Sequence, residues 1–200
     1  MVRCTGILVL LAAMTPLYAR AQHYSGPPSL GPFRIDKNVS MSSMFQQLGR
    51  PSSINGETYC YRSERGEAFL SLTRLDPVYD DPQTAGALTL SRSANCSKRN
   101  VQITSADIAH WKTEKGIGLF SPESAVVDAY GPPTSTLEVN DLTCGLTIYA
   151  DREGSSGYSS SKAGSGCTVL VYKGTPEELS TAEFGIKQGK VVWIMLSQNE

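Results

Sequence analysis

The chain has almost no net charge, little histidine and no apolar run long enough to span a bilayer. Lys and Arg number 18 against 19 Asp and Glu, a formal charge of −1 over 200 residues. Such a balance supplies no cationic excess to neutralise phosphates, so a nucleic-acid partner is not expected. Only two histidines are present, which argues against a histidine-rich metal centre. The patterns G-x-S-x-G, H-E-x-x-H, G-x-G-x-x-G and the P-loop do not occur. No C-x-x-C pair occurs either, which removes a redox motif and a zinc knuckle. The sequence therefore predicts no enzyme, no cofactor and no metal. A spanning helix needs roughly 20 apolar residues, so no stable membrane insertion is expected.

What is present begins with an address. Met1-Val2-Arg3 is basic, residues 6–17 are apolar apart from Thr15 and Pro16, and Ala19-Arg20-Ala21 forms an A-x-A site. This is the three-part pattern of a secretory signal peptide over residues 1–21. Loss of Arg3 and Arg20 with the leader takes the formal charge to −3. The expectation is a protein exported to the periplasm or beyond. Cys60, Cys96, Cys144 and Cys167 would remain. Four cysteines in an oxidising compartment predict two disulfides, with three connectivities open in principle.

Residues 22–32 are rich in Gly, Pro and Ser and read as a flexible lead-in. An internal repeat follows. Residues 43–53 align with residues 125–135, so that Gly49 falls on Gly131 and Pro51 on Pro133. Met41, Met44, Phe45 and Leu48 occupy one face of a helix, and Val126, Val127 and Tyr130 repeat the stripe. Ser40 and Ser121 are candidate N-caps, with Pro122 suited to the first helical position. Gly49 and Gly131 are suited to the left-handed C′ conformation, and the prolines forbid continuation. β-type runs follow each helix. They cover 57–62, 68–75 and 87–92 in the first copy, with Val101 and Ile103 as a last strand. In the second they cover 142–149, 167–172, 182–187 and 190–196, the last two joined by a tight Gly turn. A short helix over 104–111 opens the second copy.

The fold class read from this pattern is α+β. It consists of two tandem repeats, residues 33–103 and 104–200, each a short helical segment packed on an antiparallel sheet of about four strands. Pairing within repeats, Cys60–Cys96 and Cys144–Cys167, is the simplest connectivity, and cross-repeat pairing stays open.

Some residues carry a family resemblance. They are the helices ending in Gly-x-Pro, the strand Tyr59-Cys60-Tyr61 and the final strand Gly189-Lys190-Val191-Val192-Trp193-Ile194-Met195-Leu196. Together they resemble the β-lactamase-inhibitor-protein-like fold, a group that includes the small outer-membrane assembly lipoproteins of the BamE/SmpA/OmlA type. The resemblance spans residues 33–198. It implies helices on one face of each sheet, a concave surface that grips another protein, and one cysteine pair per repeat. Gln22 is not the lipid-modified cysteine of the assembly lipoproteins, so their membrane anchoring does not transfer.

Three candidate surfaces follow. Loop 76–85 is stiffened by Pro77 and Pro82 and offers Tyr79 beside Asp80 and Asp81, an aromatic anchor with acidic acceptors. Loop 154–166 has a Gly/Ser composition around Tyr158, suited to adaptable contacts. Tyr59, Tyr61, Tyr149, Tyr172 and Trp193 sit in strands, where they form core if the face is covered and contact surface if it is open. His110 lies beside Trp111 with Asp107 three residues earlier, and reads as a partly buried helix-end residue rather than a catalytic one. The expected function is an exported, non-enzymatic protein-binding module whose partner is another exported or envelope protein. A cell-envelope structural or assembly factor and a small hydrolase using His110 are the alternatives.

Overall fold

A computed structural model describes residues 26–34, 39–50, 58–74, 84–93, 101–139, 144, 146–148, 156–158, 167–174 and 180–198. In chain order the elements are β1 (Ser29–Leu30), β2 (Phe33–Arg34), α1 (Met41–Leu48), β3 (Thr58–Ser63), β4 (Phe69–Arg74), β5 (Ala85–Ser91) and β6 (Val101–Thr104). A 3₁₀ turn follows at Ile108–His110, then α2 (Glu123–Tyr130), β7 (Ser135–Val139), β8 (Leu146–Ile148) and β9 (Ser156–Tyr158). The last strands are β10 (Cys167–Lys173), β11 (Ser180–Lys187) and β12 (Lys190–Gln198).

Eight of these strands form one mixed sheet in the order β6-β3-β4-β5-β12-β11-β10-β7, antiparallel except for the parallel pair β3–β6. This corrects the expected fold class. Among the described residues the fold is mostly β, 53% strand against 17% helix, and does not divide into two repeats with a four-stranded sheet each. The seam between β5 and β12 shows why. Leu88 stands opposite Leu196 and Leu90 opposite Ile194, and all four are buried. Two edge strands left apart would expose both their backbone groups and these side chains to water; pairing them satisfies both demands. One hydrophobic cluster accordingly runs across the seam, joining Met44, Tyr61 and Leu90 to Val126, Phe184 and Ile194.

Helix α1 forms as its stripe predicts. Ser40 is extended at the N-cap and its hydroxyl accepts the Ser42 N–H at 3.2 Å. Met41, Met44 and Leu48 are buried, and Phe45 meets the Tyr59 ring edge-on at 4.8 Å. Helix α2 starts one residue later than expected. Pro122 holds the cap position, and the Ser121 hydroxyl instead accepts the Gly118 N–H at 3.0 Å. Val126 and Tyr130 are buried as the stripe requires, but Val127 faces solvent.

Both helices stop alike. Gly49 and Gly131 have φ of 84° and 77° with ψ of 160° and −169°. That combination is extended rather than left-handed helical, and it is a region that essentially only glycine occupies. The freed carbonyls are claimed by buried tyrosines: the Tyr61 hydroxyl donates to Gly49 O at 2.9 Å, and the Tyr172 hydroxyl to Gly131 O at 3.0 Å.

The strand aromatics do not share one face. Tyr59, Tyr61 and Tyr172 lie in the core under the helices. Trp193 lies on the opposite face with Val139, Cys144, Cys167, Val169, Val171 and Met195. Its indole packs over Gly185, where a Cβ would overlap the ring, and its N–H donates to Cys144 O at 3.1 Å. The Cys144–Cys167 disulfide closes this second cluster, its Cα atoms 5.3 Å apart. Cys60 is also disulfide-bonded; Cys96 lies outside the described residues. Among the described residues, no helix is long and apolar enough to cross a membrane.

Candidate binding cleft

Three segments converge beside the β3–β4 turn. The first is the short hairpin β1–β2, which occupies part of the stretch read as a flexible lead-in. Leu30 and Phe33 are buried, Gly31 N donates to Lys112 O at 2.9 Å, and Phe33 meets the Trp111 ring edge-on at 5.3 Å. Gly31 has a positive φ of 59°, and a Cβ there would overlap the Trp111 indole. The hairpin therefore fixes one side of Trp111, leaving another part of it to line a cleft.

The second segment is 111–121. Thr113 N donates to Ile117 O at 2.7 Å, and the Thr113 hydroxyl accepts Ile117 N–H at 3.2 Å. Tyr130 of α2 reaches into the turn and donates to Thr113 Oγ1 at 2.6 Å. Burial raises that phenol far above its ordinary pKa, which keeps it a donor. Lys115 closes the same corner, donating to Ala129 O at 2.6 Å with its ammonium over the Tyr130 ring. A loop bonded this densely is a rigid platform rather than a connector.

The third segment brings Arg92, just past β5, to the rim of the cleft. The cleft has a volume of about 520 Å³, with Trp111 and Leu119 in its wall. Phe120 is its most unusual member. The ring is 50% exposed and the backbone φ is +69°. A bulky residue at positive φ is a true outlier, and its neighbours hold it there. Phe120 N donates to Val191 O at 2.8 Å, and Val191 N returns a bond to Ser121 O at 2.9 Å. The Arg92 guanidinium lies 4.2 Å from the Phe120 ring centroid, a cation–π contact worth roughly 0.5–1 kcal/mol at an exposed site.

Charge in the cleft is uneven. Arg92, Lys112 and Glu67 all line it. His110 also borders it, with Nδ1 2.7 Å from Asp107 Oδ1. His110 and Asp107 are 74% and 73% exposed, so the expectation of a partly buried histidine is corrected. Among the described residues no serine hydroxyl contacts His110, and its side-chain partner is Asp107.

None of the binding residues predicted from sequence is among the described residues that line the cleft. Tyr79, Asp80 and Asp81 lie outside the described residues. Tyr158 ends β9, which pairs with β8, so part of the segment read as a loop is strand; its side chain lies outside the description. The structure thus brings together Arg92, Lys112 and Phe120, none of which sequence reasoning selected. The legible signal was slight: an apolar pair, Leu119-Phe120, stranded between Gly118 and the Ser121-Pro122 helix start.

Compared with known protein families, with curated proteins and with solved structures, the chain matches none.

Proposed function

We propose that the protein is an exported binding module that recognises another protein through the cleft beneath Phe120. The observation supporting this reading is the geometry of Phe120 itself. A hydrophobic ring is held half in water, on a disfavoured backbone, by bonds from two other segments. Backbone strain of this kind costs of order 1–3 kcal/mol and clusters at binding and catalytic sites. Aromatic residues, phenylalanine among them, and arginine are both enriched in protein interfaces. The Cys144–Cys167 disulfide suits an oxidising compartment, in keeping with the leader read in the sequence.

The test is partner capture by cross-linking with the oxidised full chain and two variants. Phe120→Asn removes the ring while suiting positive φ. Ile103→Thr removes another exposed apolar residue, 51% exposed on β6. The expected result is one saturable cross-linked partner with the wild type and Ile103→Thr, lost with Phe120→Asn. A partner retained by Phe120→Asn overturns the reading.

A further inference from the structure

We infer that the segment seated in the cleft is acidic, its carboxylates meeting Arg92 and Lys112 on either side of an apolar contact with Trp111 and Phe120. This rests on the cleft being the contact surface proposed above. The cleft carries positive charge that the described residues leave unpaired. Among the described residues the Arg92 guanidinium has no ion-pair or hydrogen-bond partner; its recorded contact is the Phe120 ring. The Lys112 ammonium has none either, although its backbone is fixed by the bridge to Gly118 and the bond from Gly31. Other cations here are used: Lys115 caps Ala129 O and covers Tyr130. Among the described residues, Arg92 and Lys112 have no carboxylate partner, and Glu67 is the one acid in the lining of the cleft, leaving the positive sign in excess.

Guanidinium and carboxylate form strong charge-assisted bonds, while the ring under the guanidinium gives the same site an apolar floor. A basic segment would meet like charge, which selects against it. The complementary ligand is therefore a short acidic stretch carrying an apolar residue. Nothing in the cleft favours a nucleic acid, whose phosphate track needs a longer cationic stripe than two side chains.

The test uses the full oxidised chain and three acetylated, amidated pentapeptides with a central leucine, flanked by glutamates, glutamines or lysines. Binding is read from the Trp111 indole N–H resonance. The glutamate peptide is expected to titrate it saturably, the glutamine peptide at least tenfold more weakly, and the lysine peptide not at all. Lys112→Gln is expected to weaken the glutamate peptide about three- to tenfold and leave the glutamine peptide unchanged. Arg92→Gln should weaken both, because it also releases Phe120. Equal binding of the glutamate and glutamine peptides, or indifference to Lys112→Gln, overturns the acidic assignment while leaving Phe120-dependent capture standing. Failure of the glutamate peptide to shift Trp111 at millimolar concentration overturns it too. Loss of Phe120-dependent capture, by contrast, removes the cleft reading itself.

Discussion

Glu183 shows how much a single side chain can set. It stands on β11 between Met195 and Val171, on the sheet face away from the helices, 7% exposed. Among the described residues its Oε2 has no hydrogen-bond partner, and burial pushes the carboxyl up to about 7, opposed by the charge of Lys173. A carboxyl whose folded pKa lies above its unfolded value holds extra protons in the folded state, so its contribution to stability is complete below the ordinary carboxylate range. It is then lost as pH rises towards 7. The full swing is about 3 kcal/mol. Urea unfolding at pH 4.5 and pH 8 should show Glu183→Gln losing less stability than the wild type over that interval. Equal losses would contradict the account. Nothing in Thr181-Ala182-Glu183-Phe184 announces this burial: the alternation reads as an ordinary strand with polar residues outward. Burial on both faces is set by the second hydrophobic cluster, which forms only when β7, β10 and β12 are assembled. The same holds for Phe120, whose exposure depends on Val191 and Arg92, distant in sequence.

At the scale of elements, local chemistry was far more readable. Helix α1 follows from Ser40 and the Met41-Met44-Leu48 stripe, and the β11–β12 hairpin from Gln188-Gly189, which both take positive φ in its tight turn. Ser135-Thr136-Leu137-Glu138-Val139 carries too few apolar residues for strand β7 to stand out in the sequence. Pairing with β10 decides it. The helices do stop at the expected glycines, but Gly49 and Gly131 take a positive φ with extended ψ instead of the expected left-handed helical conformation. Gly131 makes this testable. A Cβ there meets no atom within 4 Å, so Gly131→Ala measures backbone strain alone. The expected cost is of order 1–3 kcal/mol, seen as a lower urea midpoint at unchanged slope. An unchanged midpoint would mean that the glycine is dispensable.

At the scale of the whole molecule, the sequence pattern predicted the pieces and mis-stated their assembly. Each half does hold a helix and a set of strands, but nothing in the Leu88-Thr89-Leu90 or Ile194-Met195-Leu196 patterns says whether they end a sheet or continue one. The β5–β12 seam settles that through pairing between residues more than a hundred positions apart. It also determines the cleft, because Arg92 leaves β5 at the seam and Val191 enters β12 beside it. The Arg92 N–H donates to Val192 O at 3.1 Å, so the seam that unites the sheet also brings the guanidinium to Phe120. On this account Phe120 is kept on a strained backbone for contact with a partner rather than for folding. The most direct measurement is the urea unfolding midpoint of Phe120→Gly against the wild type. Glycine relieves the positive φ and gives up only a half-exposed ring, so the midpoint should be equal or higher. A fall corresponding to more than about 1 kcal/mol, the usual cost of a destabilising substitution, would show that Phe120 serves the fold and contradict the binding role assigned to it.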